Sequence, residues 1–353
     1  MRVLQYTRLF AATATLALVV LTACGKDNGP SEFNPQGTSS DLSAAEAAMG
    51  TGPTESFTAM ATDISVVLGP SPALAVAPEL GTSVEPTQRF AGTLLRLLPS
   101  AGRNPEVMFD ILPAEILGTT FEFDPVAEQY VASSRTGAPA NGVRFILYAI
   151  DPVTRRPASP LNELGFVDVI DLSTATSVAL RVVVVSGTVT YLDYSVSASG
   201  TSEGGTVTIS GFASDGSTRA NFVLNTTLSS TASGTQFVID FNLTVPSRDF
   251  AVTYTATFQT QGTGEPTVTL DLTISGPNGT VNLAGTAGSG GGTFTVKVNG
   301  DLFATITEGS GDPVITGAGG EPLTPEEAST LREILDYFDD SLITLGDLLA
   351  PVA

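Results

Sequence analysis

From Leu192 to Ile306 the chain alternates apolar and polar residues with a period of two. Phe237, Ile239, Phe241, Leu243 and Val245 interleave with Val238, Asp240, Asn242 and Thr244. Phe250, Val252, Tyr254, Ala256 and Phe258 interleave with Thr253, Thr255, Thr257 and Gln259, and Val268, Leu270, Leu272 and Ile274 with Thr269, Asp271 and Thr273. Successive side chains of a strand point to opposite faces, so each run predicts a strand with one apolar face and one Thr/Ser/Asp face. Leu192, Tyr194, Val196 and Ala198 follow the same rule, as do Ala220, Phe222, Leu224 and Leu228. Asn299-Gly300 is a strong hairpin signal, because both residues tolerate positive φ. It sets Phe294, Val296 and Val298 opposite Leu302, Ala304 and Ile306. Asn278-Gly279 and Asp215-Gly216 mark two more turns. Roughly eight successive strands with short connections predict an antiparallel meander.

The period of two begins at Gly118, with Phe121 and Phe123 flanking Glu122. Val143–Ile150 is a nearly continuous apolar run, expected as a strand buried on both faces, and Val182–Val185 predicts another strand. The Pro-rich stretch Asp151–Gly165 between them reads as a loop.

Before Gly118 the pattern is helical and broken. Asp41 is placed to cap an Ala-rich helix over Leu42–Met49, and Pro and Gly punctuate residues 50–84. A helix over Pro86–Leu98 would align Phe90, Leu94, Leu97 and Leu98. Asn104-Pro105 offers a cap followed by Pro for a short helix of Val107, Met108, Ile111 and Leu112, ending at Pro113. At the other terminus Thr324, Pro325 and Glu327 form a capping box. Ala328, Leu331, Ile334, Leu335 and Phe338 then recur at helical spacing, and Leu342–Leu349 continues as a short amphipathic piece.

The expected fold is mainly β. A large, twisted antiparallel meander, half-open barrel or two-layer, carries peripheral N-terminal helices and a C-terminal helix. The expected organisation is a signal peptide over 1–23, a tether over 24–40, a helical segment over 41–117, the β domain over 118–323, and a C-terminal helical segment over 324–353 that packs on it. A one-faced sheet this wide must cover its apolar side by curling, by a second sheet or by helices.

The first 23 residues have a separate logic. Arg2 and Arg8 are the only charges before Lys26, and the apolar run Leu9–Leu21 follows, closed by the small residues Thr22 and Ala23. A basic start, a short apolar run and a small-residue site make a secretory signal. A helix of 13 residues, at about 1.5 Å each, is too short to span a hydrocarbon core of about 30 Å. Leu21-Thr22-Ala23-Cys24 resembles the lipobox of bacterial lipoproteins. The resemblance implies cleavage between Ala23 and Cys24, a diacylglycerol on the Cys24 sulfur and an acyl group, such as palmitate, on its new amine. Gly25 stands where that class uses Asp for inner-membrane retention, which implies the outer membrane. Residues 25–40, polar with Gly, Pro and Ser, read as a tether with a reach of about 20 Å.

Composition narrows the chemistry. Loss of residues 1–23 removes two Arg and leaves 13 basic against 36 acidic residues, a charge of −23. Such a surface repels nucleic acid and anionic lipid, so nucleic acid is not expected as a partner. Cys24 is the sole Cys, and the chain contains no His, the commonest general base and metal ligand. Ser-His-Asp and Cys-His hydrolases, zinc proteases and zinc deaminases are excluded. Gly200-Thr201-Ser202-Glu203-Gly204 fits G-x-S-x-G but lies between strands, where a nucleophile elbow needs a strand followed by a helix. Gly288–Gly292 lacks the Lys of a phosphate loop, and Lys26 and Lys297, the two Lys of the chain, sit on polar segments. Asp168 and Asp171, and Asp336, Asp339, Asp340 and Asp347, are candidate carboxylate clusters for glycoside chemistry or Ca²⁺. A solvated acidic face, or ion pairs with Arg144, Arg155 and Arg156, is the plainer account.

No catalytic, cofactor or metal residues are assigned, and an enzyme is not expected. By architecture the chain resembles the open-barrel carriers that handle lipids or lipoproteins at bacterial envelopes, and more closely exported β-rich lipoproteins. The expected function is a membrane-anchored, non-catalytic carrier whose concave sheet holds a lipid or other apolar ligand, with the C-terminal helix as cover. The alternative is an envelope structural or protein-interaction module that uses the Thr/Ser-rich outer face or a sheet edge.

Overall fold

Fifteen strands form one open sheet whose spatial order is nearly the order of the chain. The computed structural model describes residues 33–50, 52–68, 112–174, 177–201, 204–231, 234–261, 267–288, 290–309 and 313–349. The strands are β1 (Thr120–Asp124), β2 (Gln129–Ser133), β3 (Gly142–Tyr148), β4 (Glu163–Asp171), β5 (Val178–Ser186), β6 (Val189–Thr201), β7 (Gly204–Ser214) and β8 (Arg219–Thr231). They continue as β9 (Gly234–Val245), β10 (Phe250–Gln261), β11 (Thr267–Gly276), β12 (Gly279–Gly288), β13 (Gly291–Val298), β14 (Asp301–Glu308) and β15 (Val314–Gly317). From β3 to β15 each strand pairs antiparallel with the next. The exception is at one edge, where β1 pairs parallel with β3 and β2 lies outermost. The protein is mainly β, and its sheet does not close.

The alternation in the sequence is the alternation of burial. Phe237, Ile239, Phe241, Leu243 and Val245 of β9 are buried, whereas Asp240 and Asn242 between them are exposed. β3 is buried on nearly every residue, as its apolar run requires. Two inner strands, β7 and β12, have a weaker pattern because glycine takes inward positions. Gly211 of β7 pairs with Tyr194 on one side and Phe222 on the other. A Cβ there would lie 2.6 Å from the Tyr194 Cβ, so only glycine admits the Tyr194–Phe222 ring pair, at 6.5 Å.

The Asn299-Gly300 hairpin forms with both residues at positive φ, 51° and 94°. One expectation there fails. The two-residue turn sets Lys297 rather than Val298 opposite Leu302, and a bulge at Phe303 then brings Ala304 opposite Val296. Leu302 is therefore 48% exposed, and Phe303, the extra residue, turns inward.

Helices cover the inner face. Among the described residues they are α1 (Pro35–Met49), α2 (Pro53–Ala59), α3 (Ala61–Leu68) and α4 (Pro325–Leu349). α2 touches β3 to β6, α3 touches β2, and α1 touches β7, β8 and α4. α4 starts in the predicted capping box: the Thr324 amide donates to Glu327 Oε2 (2.7 Å) and the Glu327 amide to Thr324 Oγ1 (3.2 Å). It is one continuous helix, so Leu342–Leu349 is its last two turns and not a separate piece.

The N-terminal helix begins earlier than the tether reading allows. Asn34 is its cap, accepting from the Gly37 amide at 3.0 Å, and Pro35 is its first residue. Asp41, expected as a cap, lies inside α1, where it pairs with Arg248 (2.9 Å) and accepts from Asn278 Nδ2 (3.2 Å). Partners more than 200 residues away hold a carboxylate that local sequence places at a helix end. The punctuated stretch 50–84 also contains helix, because Pro53 and Ala61 start turns of α2 and α3 rather than ending one. The helices expected over Pro86–Leu98 and after Asn104 lie outside the described residues, as do Ala23 and Cys24. Leu112 is described and buried.

Candidate functional site

Two surfaces of the sheet are candidates, and the first is the inner face where a carried ligand would sit. α4 lays Leu331, Ile334, Phe338, Leu342, Leu345 and Leu348 on it, all buried, in steps of three or four residues. Two tyrosines of the sheet bond to the same helix. The Tyr194 hydroxyl donates to the Leu348 carbonyl. Ser341 donates to the Phe338 carbonyl at 2.8 Å, so Tyr254 is the donor in its 3.3 Å contact with Ser341 Oγ. The Tyr254 ring also meets Phe338 edge-on at 5.0 Å. Burial raises both phenols far above their ordinary pKa, which keeps them neutral donors. The inner face is therefore occupied by the chain's own side chains along the length of α4.

Beside this contact lies an acidic seam. Ser39 of α1 donates to Glu333 of α4 (3.0 Å), and Glu46 faces Glu333 and Asp340. Burial, with Asp340, Asp336 and Glu308 nearby, pushes Asp339 up to about 6. Burial also raises Asp340 and Asp347, although both are more exposed than the half-buried Asp339.

The second surface is the outer face of β8 to β14. Thr257, Thr269, Thr286, Thr293 and Thr307 stand in one row across five adjoining strands. The neighbouring row runs Asn225, Asp240, Thr255 and Asp271, and the next runs Val223, Asn242, Thr253 and Thr273. These last two rows line a shallow depression of about 360 Å³. Its groups are already oriented: Thr255 donates to Asp240 (2.7 Å), Asn282 to Asp271 (2.7 Å) and Thr208 to Asn225 (3.0 Å). Hydroxyls, amides and two carboxylates offer a polar ligand many hydrogen bonds and little apolar area.

The remaining candidates from the sequence disperse. Arg144 grips Asp168 with two bonds, 2.7 and 2.8 Å, and its guanidinium covers the outward ring of Phe166 at 3.6 Å. Asp171 accepts instead from the Ser173 amide (2.8 Å). Arg155 and Arg156 pair with Glu55 of α2 and Asp63 of α3. Gly200 and Gly204 flank a tight hairpin between β6 and β7, and Ser202 lies outside the described residues. Lys297 is exposed on β13. Among the described residues no three acidic, His or Cys side chains converge to hold a metal, and no helix is long and apolar enough to cross a membrane.

The periodicity that located the strands already held the outer rows, since every named Thr, Asn and Asp is on the polar parity. Their lateral alignment was not readable, because register depends on turn lengths. No protein-family model, curated protein or solved structure matches the chain.

Proposed function

We propose that this chain is an exported lipoprotein, acylated at Cys24, whose β domain is a non-catalytic interaction module that binds a polar partner through its outer face. The observation that carries this reading is the asymmetry of the sheet. Its apolar face is taken up by α1, α2 and α4, while its polar face presents an ordered array around the depression of β8 to β11 that no described element covers. A partner there would meet hydroxyls, amides and carboxylates, which suits a protein or other hydrogen-bonding polymer better than a lipid tail. The lack of His and the engagement of Asp168 by Arg144, away from Asp171, support binding over catalysis. The lipobox, with its cleavage site at Ala23–Cys24, supports envelope anchoring, in the outer membrane given Gly25.

The carrier reading needs α4 to leave the sheet and expose Tyr194 and Tyr254. One pair of experiments separates the two. Photo-cross-linking from position 255 in the envelope should capture a partner that position 331, on the buried side of α4, does not. Native mass spectrometry of the chain from residue 25 should show bare protein. A co-purified lipid together with silence at position 255 would reinstate the carrier.

A further inference from the structure

We infer that the end of the sheet bearing the turns 246–249, 277–278 and 299–300 faces the lipid surface, and that the opposite end faces away from it. The inference rests on acylation of Cys24 as proposed above. It deepens that reading by stating which part of the domain meets the bilayer.

The argument begins where the chain joins the domain. The Phe33 ring packs edge-on against Phe303, 5.2 Å away, just past the 299–300 turn. Asn34 Nδ2 donates to Asn278 Oδ1 (2.8 Å) in the 277–278 turn. Asn278 in turn donates to Asp41 (3.2 Å), which pairs with Arg248 of the 246–249 turn. Asn299 Oδ1 accepts from the Thr280 amide (2.8 Å) and ties two of the turns together. The start of α1 is thus fastened through Phe33, Asn34 and Asp41 to one end of β9 to β14, here the proximal end. The other end of the same strands, with the β12–β13 turn at Gly290, is the distal end.

Distances then decide orientation. Cys24 precedes Asn34 by ten positions, and a chain spans at most about 3.6 Å per residue, so the proximal end lies within about 36 Å of the acylated sulfur. β9 and β10 have 12 residues each, and at about 3.3 Å per residue, with the turns beyond them, the two ends stand about 40 Å apart. An inverted domain, distal end on the bilayer, would need residues 24–34 drawn out to essentially their full length. Charge sets the contact: the cleaved chain, with 13 basic against 36 acidic residues and a net −23, is repelled by anionic lipid, so the proximal turns approach the headgroups without insertion.

Energy transfer tests this with the full acylated chain in phosphatidylcholine vesicles carrying an acceptor lipid. A thioether-linked Cys24 leaves no free thiol, so single introduced cysteines label cleanly. Ser247→Cys and Asp301→Cys report the exposed proximal end, and Gly290→Cys the distal end, where a Cβ meets nothing within 4 Å. Transfer efficiency should be higher from 247 and 301 than from 290. Insertion of twenty Gly/Ser residues before Phe33 should narrow that gap. Equal transfer from the three sites, or more from 290, in protein that floats with the vesicles overturns the orientation while leaving the anchor standing. A chain that stays off the vesicles and takes maleimide at Cys24 overturns both.

Discussion

The two faces of the sheet are written in alternate residues of the same strands, yet they follow different rules. On the inner face each side chain is specified by shape. Tyr194, Gly211 and Phe222 fit across three strands only as a set, and Tyr194 and Tyr254 must also satisfy their hydroxyls on α4. On the outer face neighbours touch through single hydrogen bonds in water, such as Thr269 with Thr286 (3.2 Å), and any small polar residue with a high strand propensity would serve. The inner face carries the stability, and the outer face is free to be chosen for what it meets.

Substitutions on adjacent positions of one strand should break or sharpen that contrast. Phe222→Ala on β8 should lose about 3–5 kcal/mol in denaturant unfolding, because it leaves a cavity beside Tyr194 that glycine at 211 cannot fill. If Val223→Thr, its outward neighbour, lost as much, the two faces would be equivalent and the contrast would fail. Arg248→Ala should lose about 1–3 kcal/mol by removing the charged partner of the largely buried Asp41. Asp41→Asn in the same background should recover part of the loss. Tyr194→Phe should lose about 1 kcal/mol, the worth of one buried hydrogen bond, with the ring packing retained.

The acidic seam gives the contrast a pH dependence. Asp339 is raised to about 6 in the folded chain by burial and by its acidic neighbours, from an ordinary 3.8. Below about pH 4 it is neutral in both states and exerts no penalty. As pH rises, the unfolded chain releases its proton first, so stability falls between about pH 4 and 6 and then levels off. Asp339→Asn should reduce that slope in melting curves taken from pH 4 to 7.5. The smallest effect is expected for Thr269→Ala, within about 0.5 kcal/mol. A weaker captured yield at position 255 would then be a binding effect and not a loss of fold.

How much of this was legible in the sequence follows from range. The strands of β8 to β11 and the Thr324–Glu327 capping box could be read because a period of two and a four-residue motif are local. The parallel pairing of β1 with β3 was not, since nothing in either strand encodes which edge it joins. Asn34-Pro35 carries the same cap-then-Pro signal as Asn104-Pro105, but it is embedded in Gly, Pro and Ser residues that read as a tether. Asp41 shows the limit most plainly: its partners, Arg248 and Asn278, are distant in sequence, so its role inside α1 has no local signature. The outer rows were visible as parity and invisible as rows. Even the Leu302–Phe303 reversal depends on a single unpaired residue, which periodicity alone assigns to the wrong face.

The nearly sequential strand order has a consequence for assembly. From β3 onward each new strand needs only its predecessor as a template, so the sheet can lengthen one hairpin at a time as the polypeptide emerges N-terminus first. α2 can cover β3 to β6 as they form, but the part of the apolar side that packs under the 25-residue α4 stays wet until that helix arrives. A chain truncated before Pro325 would therefore hold much of its hydrogen-bonded ladder and still be sticky where Tyr194 and Tyr254 lose α4.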